Sequence, residues 1–174
     1  TSATSPRHMT VAASMMGVKE VPGKGKSNPV IMKWVKDLGL EKIYLDDDQA
    51  WCAIAWQYAM LKAGRKITLE TKDRYDYLRA LQFQNTKDLR KIPVGLAAFG
   101  DTLIFKRPEG GHIGFYIGED KDNFYVWGGN QGNKVSIVKI AKVRCVCVLR
   151  PDYISFSPQK YMLNESGDVS HNEA

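Results

Sequence analysis

At 174 residues with 44% hydrophobic side chains, the chain has the size of one compact domain and enough apolar content to bury a core. No stretch approaches the roughly 20 consecutive apolar residues of a membrane span, and no charged start runs into an apolar block as in a secretory leader. The expectation is a chain without stable membrane insertion, carried by another agent if it acts outside the cytoplasm. A formal net charge of +6 attracts polyanions of any kind. Because Lys19, Lys24, Lys26, Lys33 and Lys36 are scattered, with no helix-turn-helix, zinc finger or aromatic RNA-binding strand beside them, nucleic acid is not the expected partner.

Residues 1–9 end in His8-Met9, the pair encoded at a common cloning site; they read as vector-derived and are set aside, so that the natural chain is expected to begin at Met9. Residues 10–16 predict a short helix, broken by Gly17 and then Pro22-Gly23. A better-marked helix follows: Asn28 can cap, Pro29 suits the first turn, Ile31, Trp34, Val35 and Leu38 recur at helical spacing, and Gly39 stops it. After the acidic Asp46-Asp47-Asp48, residues 50–63 predict a buried helix with Trp51, Ile54, Ala55, Tyr58 and Leu61 or Lys62 along one side and Gly64 as its stop. Residues 72–81 are a further, more mixed helical stretch.

From Gly100 the hydrophobic period changes to two. Residues 102–105, 112–117, 124–127, 135–140 and 143–149 predict short strands in an antiparallel meander. Helices first and strands afterwards imply an α+β domain over 10–151, with the N-terminal helices packed on one face of an antiparallel β-sheet. Residues 152–174 read as a polar C-terminal extension.

Three cysteines make no disulfide framework. Cys145 and Cys147, two apart on one strand, are expected on the same face about 6.6 Å apart. With no second ligand pair at zinc spacing, apolar packing is their expected role. Cys52 stands in the first turn of its helix, where the dipole favours the thiolate, while the neighbouring aspartates oppose it, so a base is required. His8 falls in the residues set aside and His171 in the polar tail, which leaves His112 as the histidine open to the core. Strand alternation places His112, Gly114 and Tyr116 on one face, and Gly114 leaves room for the Cys52 helix to approach. The amides of Gly128-Gly129-Asn130-Gln131 could orient the imidazole. Taken singly, each residue also has an ordinary reading: a buried cysteine as packing, a histidine beside glycine as a turn residue, Asn130 as a hairpin turn.

Four runs give the pattern its specificity: Asp47-Asp48-Gln49-Ala50-Trp51-Cys52-Ala53, Gly100-Asp101-Thr102-Leu103-Ile104-Phe105, Gly111-His112-Ile113-Gly114-Phe115-Tyr116-Ile117-Gly118 and Gly128-Gly129-Asn130-Gln131. Across residues 10–151 the chain resembles a phage and bacterial group within the NlpC/P60 and CHAP superfamily of papain-like peptidoglycan hydrolases. The resemblance implies a papain-like fold, Cys52 as nucleophile, His112 as base and Asn130 as the residue that orients the ring. Many CHAP enzymes have a glutamate close before this asparagine, where Gly128 and Gly129 stand here, so Gln131 is the fallback; Trp51 and Gln131 are expected to line the substrate. It further implies hydrolysis of a peptidoglycan amide through a thioester, without metal or organic cofactor, by an endopeptidase or an N-acetylmuramoyl-L-alanine amidase. Backbone N–H groups at the start of the Cys52 helix would meet the oxyanion. The expected setting is a monomeric phage endolysin made in the host cytoplasm and acting in the periplasm or cell wall. The alternatives are an antibacterial amidase toxin with its immunity protein, and a catalytically idle wall-binding or phage-tail module.

Overall fold

The computed structural model describes residues 5–23, 25–47, 49–164, 167–171 and 173; Lys24 and Asp48, both singled out above, lie outside the described residues. Among the described residues three α-helices precede the sheet: α1 (Arg7–Ser14), α2 (Pro29–Asp37) and α3 (Cys52–Lys62). The strands are β1 (Arg90–Ile92), β2 (Thr102–Lys106), β3 (Gly111–Glu119), β4 (Asn123–Gly128), β5 (Ser136–Ala141) and β6 (Cys145–Arg150). They form one antiparallel sheet in the order β1-β6-β2-β3-β4-β5. The architecture is therefore α+β. The meander holds from β2 to β5, after which β6 crosses back to pair with β2 and β1 closes that edge.

Local chemistry explains the helix ends. The Asn28 side chain accepts from the Val30 N–H at 2.8 Å and Pro29 fills the first turn of α2. Gly64 takes a φ of 81° just past α3, a conformation that favours glycine. The one-sided stripe expected on α3 is not what the structure has. Cys52, Ala53, Ile54, Ala55, Trp56, Gln57, Ala59 and Met60 are all buried, because α1 and α2 pack on this helix in addition to β3. Trp56 ties this helix to β2 by donating its indole N–H to Thr102 Oγ1 at 2.9 Å. The 72–81 stretch becomes two 3-10 segments, Arg74–Leu78 and Ala80–Asn85.

Both sheet faces are covered. Ile104, Ile113, Phe115, Trp127 and Leu149 pack with the helices. Leu103, Phe105, Tyr116, Phe124, Val126, Ile140 and Val148 form a second cluster. Cys145 and Cys147 do not share a face: Cys147 joins the helix-side core and Cys145 borders the other cluster. The cause is a register shift between Ile104 and Phe105, which pair with Cys147 and Cys145 and leave Val146 as the extra residue of a bulge.

Two segments set apart in the sequence reading pack against the fold. His8 and Met9 lie in α1 and are buried, with His8 Nε2 2.8 Å from the Gly100 carbonyl and its ring 5.0 Å from that of Phe115. A Cβ on Gly100 would meet Pro6 Cγ at 2.9 Å. The interior thus holds two histidines, His8 and His112. Beyond residue 151, the Glu119 N–H donates to Tyr161 O at 2.8 Å and the Leu163 N–H to Glu119 O at 2.7 Å. Farther on, Ser170 N–H donates to Lys139 O at 2.7 Å, so the tail runs past the end of β3 and along the β5 edge.

Candidate active site

Cys52 is the first residue of α3, where backbone N–H groups have no acceptor within the helix. Its thiol lies within reach of the N–H groups of Ile113, Ala53 and Cys52 itself. Burial pushes the thiol pKa up, against those N–H groups and the positive charge of Arg107, which pull it down. Asp47, one of the aspartates expected to oppose the thiolate, has a structural role. It is buried and turned to the backbone, accepting from Val21 N–H at 3.0 Å and Asn28 N–H at 2.8 Å, and so holds the loop before α2.

The register of the sheet explains how Cys52 reaches β3. Pairing between β3 and β4 begins at Phe115–Trp127, so His112 and Ile113 extend past the end of that ladder while β2 pairs along their other side. Into this gap come the start of α3 and the turn after β4. Gly129 is the seat of the helix, since a Cβ there would lie 2.6 Å from Ala55 Cβ and 2.9 Å from Trp51 Cε3. Gly114, expected to receive the helix, instead receives β4: a Cβ there would collide with Trp127 O.

His112 is fully buried and its Nε2 lies 2.8 Å from Gln131 Oε1. The Gln131 amide cannot reverse without loss, because its NH2 donates to Val126 O at 3.0 Å and to Ser136 O at 2.7 Å. With an acceptor fixed against it, Nε2 carries the proton and Nδ1 carries the lone pair. Nδ1 is buried and has no hydrogen-bond partner among the described residues, so the structure has no Sγ–Nδ1 hydrogen bond. Burial lowers the imidazole pKa to about 4, the Gln131 bond and the Glu173 charge raise it, and Arg107 and Arg144 lower it. Burial thus favours the neutral form of each group, the thiol of Cys52 and the uncharged imidazole of His112.

Asn130 does not take the orienting position. Its φ of 56° places it in the left-handed region, it is buried, and its Oδ1 has no partner among the described residues. The amide one residue later reaches the ring. Trp51 is fully buried, bonded through its indole N–H to Glu20 Oε2 at 3.1 Å and packed 6.4 Å from Trp34, so it is a core wall that leaves no exposed face for substrate. Asp101 of the Gly-Asp pair is also structural, accepting from Arg150 Nε at 2.7 Å, Arg150 Nη2 at 2.8 Å and the Ala98 N–H at 2.9 Å.

Sequence reasoning missed Arg107, Arg144 and Glu173, whose charges act on His112. Arg107 and Glu173 lie in polar stretches and Arg144 in an apolar run predicted as a strand, and nothing in their spacing signals a site. Among the described residues no group of three or more His, Cys, Asp or Glu side chains is placed to hold a metal ion. Two surface clefts open elsewhere, one around Lys36, Leu40, Gln57 and Tyr77 and one around Pro6, Arg65 and Tyr153; neither is lined by Cys52 or His112. Cys52 is 3% exposed and His112 fully buried. No protein-family model matches the chain, and no curated protein matches it.

Proposed function

We propose that this chain is a papain-like cysteine hydrolase of the NlpC/P60 and CHAP type that cleaves an amide bond in the peptide part of peptidoglycan, acting as a phage endolysin. One observation carries the chemistry: Cys52 starts α3 against the N–H of Ile113, the residue after His112, whose Nε2 is held by Gln131 and whose Nδ1 has no partner among the described residues. The choice of peptidoglycan rests on the sequence resemblance, and the net charge of +6 favours approach to an anionic envelope.

In the proposed reaction His112 Nδ1 accepts the Cys52 proton as the sulfur attacks the carbonyl carbon, and the carbonyl electron pair moves onto oxygen. Backbone N–H groups of Cys52 and Ala53 at the helix start receive that oxyanion. The tetrahedral species collapses with loss of the amine, which takes the proton from Nδ1, and a thioester remains on Cys52. Neutral His112 then draws a proton from water, hydroxide adds to the thioester, and the acid and the thiol are released. Gln131 keeps the ring in one tautomer throughout.

Digestion of purified sacculi, with products weighed by mass spectrometry, tests this. Wild-type protein is expected to release stem-peptide fragments or whole stems, and Cys52→Ala and Cys52→Ser, folded by circular dichroism, are expected to release neither. Truncated stems left on the sugar indicate an endopeptidase, whereas bare glycan with whole stems released indicates an amidase. Cleavage between sugars would contradict a thiolate mechanism, because glycosidic bonds are ordinarily cut with paired carboxylates.

A further inference from the structure

The tail contributes a carboxylate that the reaction above does not use. Glu173 is fully buried, and both its oxygens are engaged: Oε1 accepts from Arg144 Nη1 at 2.8 Å and Ser170 Oγ at 2.9 Å, and Oε2 from Arg144 Nη2 at 2.6 Å. A buried carboxylate held this completely is costly to place and is ordinarily paired for a reason of geometry or function. Arg144 is itself fixed at the end of β2, the strand next to that of His112: its Nε donates to Lys106 O at 3.3 Å, and Lys106 pairs with Gly111, the residue before His112. The segment is held on the β5 edge by the Val169–Lys139 bridge and the Ser170 N–H to Lys139 O.

Resting on the cysteine-hydrolase reading, we propose that Glu173 is a positioning residue of this site, its carboxylate clamped by Arg144 and Ser170 so that a fixed negative charge faces His112 and stabilises the imidazolium formed when Cys52 loses its proton. The charges around the ring explain the need. Arg107 from the β2–β3 turn and Arg144 from the turn before β6 both oppose a positive ring, and Glu173 from the tail opposes them. The coupling is reciprocal: burial works against the Glu173 charge, while Arg144, Ser170 and His112 outweigh it and hold the carboxyl below its ordinary value. Gln131 is neutral, so it orients the ring and supplies no charge. In this arrangement the geometry comes from an amide and the charge from a carboxylate elsewhere in the chain.

The test is the titration of His112 followed by NMR on protein with isotope-labelled histidine, which requires no hydrolytic activity. In Glu173→Gln the ring is expected to titrate at lower pH than in the wild type, and Glu173→Asp, which keeps the charge, is expected to stay near the wild type. In the unsubstituted protein the Glu173 side-chain carboxyl resonance is expected to shift in step with His112 protonation, a measurement independent of how the variants fold. Turnover on sacculi at neutral pH is expected to fall about three- to tenfold in Glu173→Gln and to recover in Glu173→Asp. Unchanged His112 titration in folded Glu173→Gln, or no response of the carboxyl resonance in the wild type, would overturn the proposal whether or not the chain hydrolyses peptidoglycan. Loss of all hydrolysis with the titration difference intact would instead count against the proposed function alone.

Discussion

At the scale of the residue, the separation between Asn130 and Gln131 decides which amide serves the histidine. Asn130 takes the left-handed φ of the turn, and that turn delivers the next side chain back onto the ring, where Val126 and Ser136 carbonyls hold it by its NH2. Gln131→Ala removes the acceptor from Nε2 and frees the tautomer, so turnover is expected to fall by about ten- to a hundredfold with the fold retained. Asn130→Gly, which suits a positive φ, is expected to stay within about threefold of wild type. Steady-state rates on sacculi separate the two, and equal losses would remove the distinction. The sequence shows that an amide in this run could serve. Choosing between adjacent amides requires the turn's φ, which no composition or spacing encodes.

Among the elements, α3 and the turn after β4 hold each other in place. The contact depends on absent side chains: Gly129 accepts α3 against its backbone, and a Cβ on Gly128 would lie 2.5 Å from Gln131 Oε1 and 3.0 Å from His112 Nε2. Gly128→Ala is therefore expected to push Gln131 off the ring and lower turnover by about tenfold or more, with a smaller effect on thermal stability than Gly129→Ala, which strikes the helix itself. Paired melting curves and rates check this; a Gly128→Ala variant with wild-type turnover would show that the amide relaxes without harm. Helix α2 was legible to the residue because Asn28, Pro29 and Gly39 punctuate a clear apolar period. The extent of burial on α3 was not, since a helix enclosed on all sides loses the one-faced pattern that periodicity detects. The bulge that separates Cys145 from Cys147 was equally hidden, because it belongs to a strand pair and not to a strand.

For the whole molecule, the change of period at Gly100 was enough to read the α+β order, whereas the pairing of β6 with β2 and the short edge strand β1 were not. Arg90-Lys91-Ile92 is too short and too charged to alternate, and strand order is a property of distant segments. The two interior histidines give the molecule a shared acid response. Burial first, and Arg65 for His8, lower the His8 pKa from 6.5 to about 4, and His112 falls to a similar value. Each ring is neutral in the folded chain and takes up a proton on unfolding between those pH values, so the unfolded state binds more protons there. Stability is then expected to be level above about pH 6.5 and to decline as pH falls toward 4, each histidine contributing on the order of 3 kcal/mol. Melting temperatures across pH 4–8 test this, with His8→Gln expected to flatten part of the decline; a profile unchanged by that substitution would show that His8 does not titrate with folding.

The central claim is that Cys52 is the nucleophile and that its thiol, although buried at rest, is reached when the site opens. Alkylation with iodoacetamide, followed by peptide mass spectrometry and residual lysis of sacculi on the same samples, measures it directly. Activity is expected to fall in proportion to carbamidomethylation of Cys52, more slowly in the presence of sacculi, while Cys145 and Cys147 remain largely unmodified. Full lytic activity in protein whose Cys52 is stoichiometrically alkylated would contradict the account.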